Sequence, residues 1–512
     1  MILAIILPWL NPFAPGPTPA VLPWLIAVGA TAGLIFLESL RAVSAGQLAR
    51  TSFADDWAFP LALACTLAGV VSGVMGLLQY FGVSVMLEPW VNQTSAGEAF
   101  ANLRQRNQFA SLTNIALASL LFLTMTGRFS GRGHWIALTA AMLLAAGNAA
   151  SSSRTGLVQI ILICGLSWFW SKGRQPLAHR VWVTALLSYA LLTLLLPWLG
   201  GLDPSVHGMA VRLRDGEQVC GSRLTLWSNV MTLIAQKPWL GWGWGELDYA
   251  HYMTLYPGER FCHILDNAHN LPLHLAVELG VPVALLVCGM ASWLVIRARP
   301  WRETDPARQL AWGVLALIML HSLLEYPLWY GPFQMAAGLS VGLLWVRSTT
   351  SGKVKEKALP LASRPERVNG FKSKRLFVAC FQSLPAIIII AVVAAAVDYY
   401  RVSQIYLPPA ARDPAYRDDT LNKIRGTWLF GNQLRFAELS TTPLTSSNAA
   451  QMHALSSELL HYSPEPRVIE KVIESKLLLG HAGEAALHRA RYRAAFPDDH
   501  EKWRQTQDTK AK

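Results

Sequence analysis

The chain has 512 residues, 52% hydrophobic and 15% charged, with 44 Lys+Arg, 32 Asp+Glu and a formal net charge of +12. An average soluble protein carries about 25% charged residues, and mean hydropathy here is +0.30. Low charge with long apolar runs argues against a soluble enzyme, a disordered chain and a nucleic-acid binder.

Crossing a bilayer takes about 20 apolar residues. In chain order such runs fall at 20–38, 57–82, 108–126, 135–150, 156–171, 181–199, 271–296, 309–323, 328–346 and 376–397. A shorter run at 2–10 lacks the charged start and small-residue cleavage site of a signal peptide, and is read as a first span. The pattern predicts an all-α, polytopic helix bundle of about 11–12 spans. With the N-terminus inside, the inside loops 39–56, 127–134, 172–180, 297–308 and 347–375 hold twenty Lys/Arg. The outside loops 11–19, 83–107, 151–155, 200–270 and 324–327 hold eight. The positive-inside rule therefore places the N-terminus in the cytoplasm and the large loop 200–270 outside. The positive excess reads as topology and gives no reason to expect nucleic acid.

The chain divides into a transmembrane part, 1–397, and a polar tail, 398–512, also outside, with sixteen Lys/Arg against fourteen Asp/Glu. Helical periodicity at 451–462, 467–478 and 482–495, broken by Ser463-Pro464-Glu465-Pro466 and by Gly480, predicts a soluble helical domain. It is either TPR-like or a set of generic helix pairs. Cys220 and Cys262 both fall in the large outside loop. A disulfide between them suits an oxidising compartment; two free thiols are the alternative.

No Asp, Glu, Lys or Arg falls near the centre of an apolar run and no half of the chain is repeated, which argues against an ion-coupled transporter or lipid flippase. The unusual polar residues sit in the outside loops instead. His269, in Asp266-Asn267-Ala268-His269-Asn270, stands where the large loop re-enters the membrane. A neutral imidazole there can accept a proton from a hydroxyl; satisfying backbone groups at a helix start is its alternative role. His263, Asp266 and His269 invite a metal reading, but their spacing puts the ends about 240° apart on a helix, so no metal is expected. Arg104 and Arg106 precede one span, Arg154 lies in the tight turn Ser151-Ser152-Ser153-Arg154-Thr155, and Arg223 opens an amphipathic helix. Arginine matches phosphate oxygens with a fixed fork of donors; snorkelling to lipid headgroups is the alternative. Trp239, Trp242 and Trp244 suit an interfacial belt or stacking on sugar rings. Glu325, in the short turn Leu324-Glu325-Tyr326-Pro327, can orient a catalytic group or pair with an arginine.

An arginine in a short outside turn, another opening a loop helix, Gly241-Trp242-Gly243, then His269-Asn270 followed after nine residues by Gly280: this order resembles the O-antigen ligase and polymerase superfamily. In the ligase branch a Gly, Thr or Tyr closes that pattern, and here Val283 departs from it. Leu7-Pro8-Trp9-Leu10-Asn11-Pro12-Phe13, Arg104-Gln105-Arg106-Asn107-Gln108, Glu325-Tyr326-Pro327-Leu328-Trp329-Tyr330 and the polar tail resemble the bacterial protein O-oligosaccharyltransferases that glycosylate pilins.

The resemblance implies transfer of an oligosaccharide from undecaprenyl-diphosphate to an acceptor hydroxyl at the periplasmic face of the inner membrane, with no cofactor. The acceptor is a Ser or Thr of a pilin-like protein, a lipid A-core sugar in an antigen ligase, or another glycan repeat in a polymerase. On this reading His269, Arg154, Arg223 and Glu325 are catalytic. Arg104, Arg106, Asn107, Asp266, Asn270 and Tyr252 contact substrate, with Asp266 a second candidate for orienting the histidine.

Overall fold

A chain inside lipid must satisfy every backbone N–H and C=O within itself, so the apolar runs become helices. The computed structural model describes residues 1–44, 53–172, 174–206, 208–214, 219–356 and 371–510. The transmembrane part contains α1 (Ile2–Leu10), α2 (Val21–Ser44), α3 (Phe53–Tyr80), α4 (Arg106–Met125), α5 (Gly133–Ser151), α6 (Arg154–Ser171) and α7 (Pro176–Leu199). The large loop adds α8 (Met209–Arg214), α9 (Arg223–Gln236) and α10 (Leu247–Met253). Then come α11 (Leu271–Leu279), α12 (Val281–Ala298), α13 (Pro306–Ser322), α14 (Gly331–Glu356) and α15 (Phe371–Ser403). No strand occurs among the described residues.

Among the described residues six helices, α2, α3, α4, α7, α12 and α15, are long and apolar enough to cross a membrane. With 19, 18 and 17 residues, α5, α6 and α13 each rise about 26–29 Å, close to the thickness of the hydrocarbon core. The molecule is an all-α, multi-pass membrane protein. At its axis stands α4, where every residue from Gln108 to Thr124 is buried. A Cβ on Gly76 of α3 would strike the Phe109 ring, and one on Gly69 the Ala116 side chain. These two glycines let α3 lie directly against α4.

Three expectations change. The stretch 2–10 forms a nine-residue helix that rises only about 14 Å, half the depth of a bilayer core. The stretch 271–296 is two helices, because Gly280 between them takes φ +87, a region closed to residues with a Cβ. Around that break Trp242 N–H donates to Val277 O (2.9 Å), Gly243 N–H to Glu278 O (3.0 Å) and Val281 N–H to Pro238 O (2.8 Å). The Gly-Trp-Gly segment is thus stitched to α11, which packs with α9 and α10 around Val230, Leu233, Ala250 and Val277. Finally, α15 continues to Ser403, beyond the boundary expected at 397. Lys357, Arg364 and Arg367 of the expected inside loop 347–375 lie outside the described residues.

The tail comprises α16 (Pro414–Arg417), α17 (Thr420–Ile424), α18 (Gly431–Thr441), α19 (Ala449–Leu459), α20 (Pro466–Leu478), α21 (Ala482–Ala495) and α22 (Pro497–Lys510). Helices α19, α20 and α21 coincide with the three periodic segments. Val468, Ile469, Val472, Ile473 and Tyr492 form a separate apolar core. Asp398 Oδ2 accepts hydrogen bonds from the Trp428 and Leu429 N–H groups (3.1 and 3.0 Å), tying the tail to the end of α15. On the large loop the tail meets α10: Arg491 Nε donates to Met253 O (3.0 Å) and His461 Nδ1 lies 2.7 Å from Glu246 Oε2.

Cys220 and Cys262 are paired as a disulfide with a sequence separation of 42, and Ser222-Arg223 lies just beyond Cys220 and Gly221. Chain-entropy arguments assign a closed loop of this size about 3–4 kcal/mol. A Cys220→Ser/Cys262→Ser double variant is therefore expected to unfold at lower temperature. Thermal unfolding of the detergent-solubilised protein with and without reductant measures this; an unchanged midpoint in the variant contradicts it.

Candidate active site

Several helices begin at one end of the bundle, and their first residues are arginines. Arg106 opens α4, Arg154 opens α6 and Arg223 opens α9. The residue before each is a side-chain cap. Gln105 accepts from Gln108 N–H (2.8 Å), Ser153 from Gly156 N–H (3.0 Å) and Ser222 from Thr225 N–H (3.2 Å). A helix N-terminus carries unpaired N–H groups and roughly half a positive charge. Three such ends, each led by a guanidinium, surround a cavity of about 410 Å³ that Arg104, Arg212, Asn107 and Glu325 also line. This is an anion-binding arrangement.

The carboxylate of Glu325 organises the cavity's inner wall. Its Oε1 is paired with Arg223 Nη2 and accepts from Asn107 Nδ2 (3.0 Å). Asn107 is fixed in turn by Ser153 Oγ, which donates to its Oδ1 (2.6 Å). His269 Nδ1 lies 2.7 Å from Glu325 Oε2. Nδ1 thus faces that oxygen at close range, without the alignment of an ideal hydrogen bond. Glu325 is buried, which pushes its carboxyl upward, but the His269 contact and the charges of His269, Arg223 and His321 outweigh that and hold it below the ordinary glutamate range. A carboxylate beside Nδ1 favours the tautomer with the proton on Nδ1, which leaves Nε2 free to accept one.

Local structure aims His269. Its backbone takes φ 50, uncommon for a residue with a Cβ, and its N–H donates to Asn267 Oδ1 (2.9 Å). Trp227 Nε1 of α9 donates to Ala268 O (3.1 Å). Asn270 caps α11, accepting from Leu273 N–H (3.1 Å), while its Nδ2 donates to Leu323 O (3.0 Å), two residues before Glu325. The His-Asn pair thus couples an imidazole to the residue that locks its loop against α13. Beneath the site lies a buried polar floor: Ser111 Oγ donates to Gln159 Oε1 (2.9 Å) and lies 2.8 Å from His321 Nδ1.

The structure brings His269, Arg223, Glu325 and Asn107 into contact and sets Arg154, Arg104 and Arg106 around the same cavity. Arg104 donates to Pro12 O, and Arg106 pairs with Glu98 (3.3 Å). Asp266 is exposed; the carboxylate against His269 is that of Glu325. Tyr252 does not reach the cavity, because it is buried between α10 and the tail with its hydroxyl 3.0 Å from His488 Nδ1. Arg212 went unforeseen: its Nη1 donates to Ser152 O (3.1 Å), clamping α8 to the turn that presents Arg154. Among the described residues no group of three His, Cys, Asp or Glu is placed to hold a metal ion.

Fold and site define a polytopic helical membrane protein with a histidine–carboxylate–arginine cluster beside an arginine-lined cavity at one end of the bundle. Comparison with known families agrees. Residues 309–511 match the family "Virulence factor membrane-bound polymerase, C-terminal", 138–288 match "O-Antigen ligase", and 99–123 match "Protein glycosylation ligase". Over these segments the chain is similar to the O-antigen ligase and protein glycosylation ligase families. Two relatives from Acinetobacter baylyi are similar to it. A General O-oligosaccharyltransferase is 25% identical over 276 residues, 50% of this chain and 45% of the relative. A ComP-specific O-oligosaccharyltransferase is 26% identical over 251 residues, 48% of this chain and 44% of the relative. The matches thus span somewhat under half the length of these relatives.

Proposed function

We propose that this protein is a glycosyltransferase of the oligosaccharyltransferase type. It moves an oligosaccharide from an undecaprenyl-diphosphate carrier to a Ser or Thr hydroxyl of a pilin-like protein at the periplasmic face of the inner membrane. The single observation that carries the reading is Glu325, which joins His269 to Arg223 at the edge of the arginine-lined cavity. The names of the two relatives and the protein glycosylation ligase match support a protein acceptor over a lipid A-core or glycan acceptor.

In this mechanism the lipid tail lies among the helices and the diphosphate enters the cavity. His269 Nε2 takes the proton of the acceptor hydroxyl as its oxygen attacks the anomeric carbon. The bond from that carbon to the phosphate oxygen breaks, and the electron pair leaves with undecaprenyl diphosphate. Arg154, Arg212 and Arg223, with three helix N-termini, stabilise the charge developing there. Glu325 orients the imidazole and stabilises its protonated form. Attack opposite the leaving group inverts the anomeric configuration.

Co-expression with a lipid-linked glycan pathway and a candidate pilin tests the acceptor. The expected result is a glycan-sized mass increase on the pilin; an increase only on lipopolysaccharide, or only longer glycan chains, overturns it. Arg212 tests the diphosphate site. A charge-assisted hydrogen bond contributes about 1.5–3 kcal/mol, so Arg212→Ala is expected to raise the donor KM about tenfold or more while the acceptor KM stays near wild type. Steady-state kinetics with varied donor check this, and an unchanged donor KM counts against the contact.

A further inference from the structure

A second cavity, of about 430 Å³, lies between α9 and the segment Tyr256–Glu259. Its position and walls have no part in the mechanism above. One wall is the outward face of α9, with Leu224, Ser228 and Thr232 at helical spacing. Leu224 is 77% exposed. The other wall is Tyr256, Pro257 and Glu259.

This second wall is a rigid piece of irregular chain. Asn229 of α9 donates from Nδ2 to Glu259 O (2.9 Å) and accepts from Phe261 N–H (2.8 Å). Arg260 donates to Thr254 O and His251 O, both at 2.9 Å. The Cys220–Cys262 disulfide ties the chain just after this segment to the residues that precede α9. Held this firmly, the groove needs little ordering when something binds, which is where preformed sites gain affinity. Among the described residues the N–H groups of Gly258 and Glu259 donate to no backbone carbonyl, and both residues are exposed. Such N–H groups along an exposed, fixed segment match the carbonyls of an extended chain.

The groove also has a direction. Leu224 directly follows Arg223, which lines the arginine cavity and pairs with Glu325. One end of the groove therefore begins on the same turn of α9 that carries Arg223. Glu259 is the only charged residue of this lining, so the groove disfavours an acidic occupant and tolerates neutral or basic ones.

We infer that this groove seats an extended segment of the acceptor polypeptide next to its modified Ser or Thr. Hydroxyls of Ser228 and Thr232 and the Gly258 and Glu259 N–H groups hold its backbone, and Leu224 and Pro257 meet its apolar side chains. The inference rests on the proposed transfer to protein.

The test uses the full chain in nanodiscs, an undecaprenyl-diphosphate-linked oligosaccharide, and the protein that the wild-type enzyme glycosylates in cells. Ser228→Trp fills the groove from an exposed helix position. It is expected to raise the acceptor KM about tenfold or more while donor KM and kcat at saturating acceptor stay within about twofold. Glu259→Lys is expected to shift preference from basic toward acidic flanking residues in the acceptor. If Ser228→Trp does not accumulate, Thr232→Arg gives the same readout. A wild-type acceptor KM in these variants overturns the groove assignment alone, and an increase confined to donor KM overturns it in favour of a glycan subsite. A wild-type enzyme that glycosylates no protein overturns the underlying reading, and the groove assignment with it.

Discussion

His269→Ala is expected to insert and fold normally and to lose transfer by a factor on the order of 10²–10⁴, the range of a removed general base. His269 is part of no apolar core; its ring stands against Tyr326, edge to face at 5.0 Å. The variant should therefore run as wild type in size-exclusion chromatography, with a somewhat lower unfolding midpoint because the buried Glu325 carboxylate loses one partner. Donor KM should change little, because in the proposed mechanism the imidazole acts on the acceptor hydroxyl while the arginines hold the diphosphate. Activity above about a tenth of wild type in a well-folded variant would remove His269 from the chemistry.

Glu325→Gln should have the second-largest effect, and through two routes. The amide keeps the shape and can still meet Asn107, but it no longer stabilises the protonated imidazole or fixes its tautomer. A kcat loss on the order of 10²-fold is expected from that change. The second route is stability. Wild-type Glu325 titrates below the ordinary glutamate value in the folded protein. Its ion-pair contribution is therefore fully present above the unfolded value near 4.5 and is lost as pH falls through the lower folded value. Wild type should unfold at a higher temperature than Glu325→Gln at pH 7, and the gap should close as pH drops below about 4. A gap that is constant with pH would mean that the carboxylate's charge contributes nothing to the fold.

Much of this site is legible in the sequence, for a local reason. The turns 151–155 and 324–327 are short, so the ends of adjacent spans fix where Arg154 and Glu325 must be. The pairs Ser153-Arg154 and Ser222-Arg223 are cap-plus-first-residue signatures, and the alternation of spans predicts them, with Arg106, on one side of the membrane before any distance is known. His269 is marked by the junction of loop and helix.

Contacts between distant segments were not legible. Tyr252 resembles an accessible polar aromatic in a loop, yet its partner His488 is 236 residues away in the tail. Nothing near Tyr252 announces that partner. Arg212 belongs to a six-residue helix with no strong periodicity, and its role comes from Ser152 O, sixty residues earlier. The choice between Asp266 and Glu325 as the carboxylate beside His269 needed three dimensions, since both flank the membrane edge. The break at Gly280 was readable: Gly280-Val281-Pro282 is a glycine followed by a proline at the second helical position, the signature of one helix ending and another starting. Hydropathy across 271–296 hides it.

Purified protein in nanodiscs, incubated with an undecaprenyl-diphosphate-linked oligosaccharide and a pilin-like acceptor, should add a single glycan mass to a Ser or Thr of that acceptor. Intact-mass spectrometry reads this directly. The predicted result is that mass in wild type and essentially none with His269→Ala. No transfer by the wild-type enzyme, or equal transfer by both proteins, would contradict it.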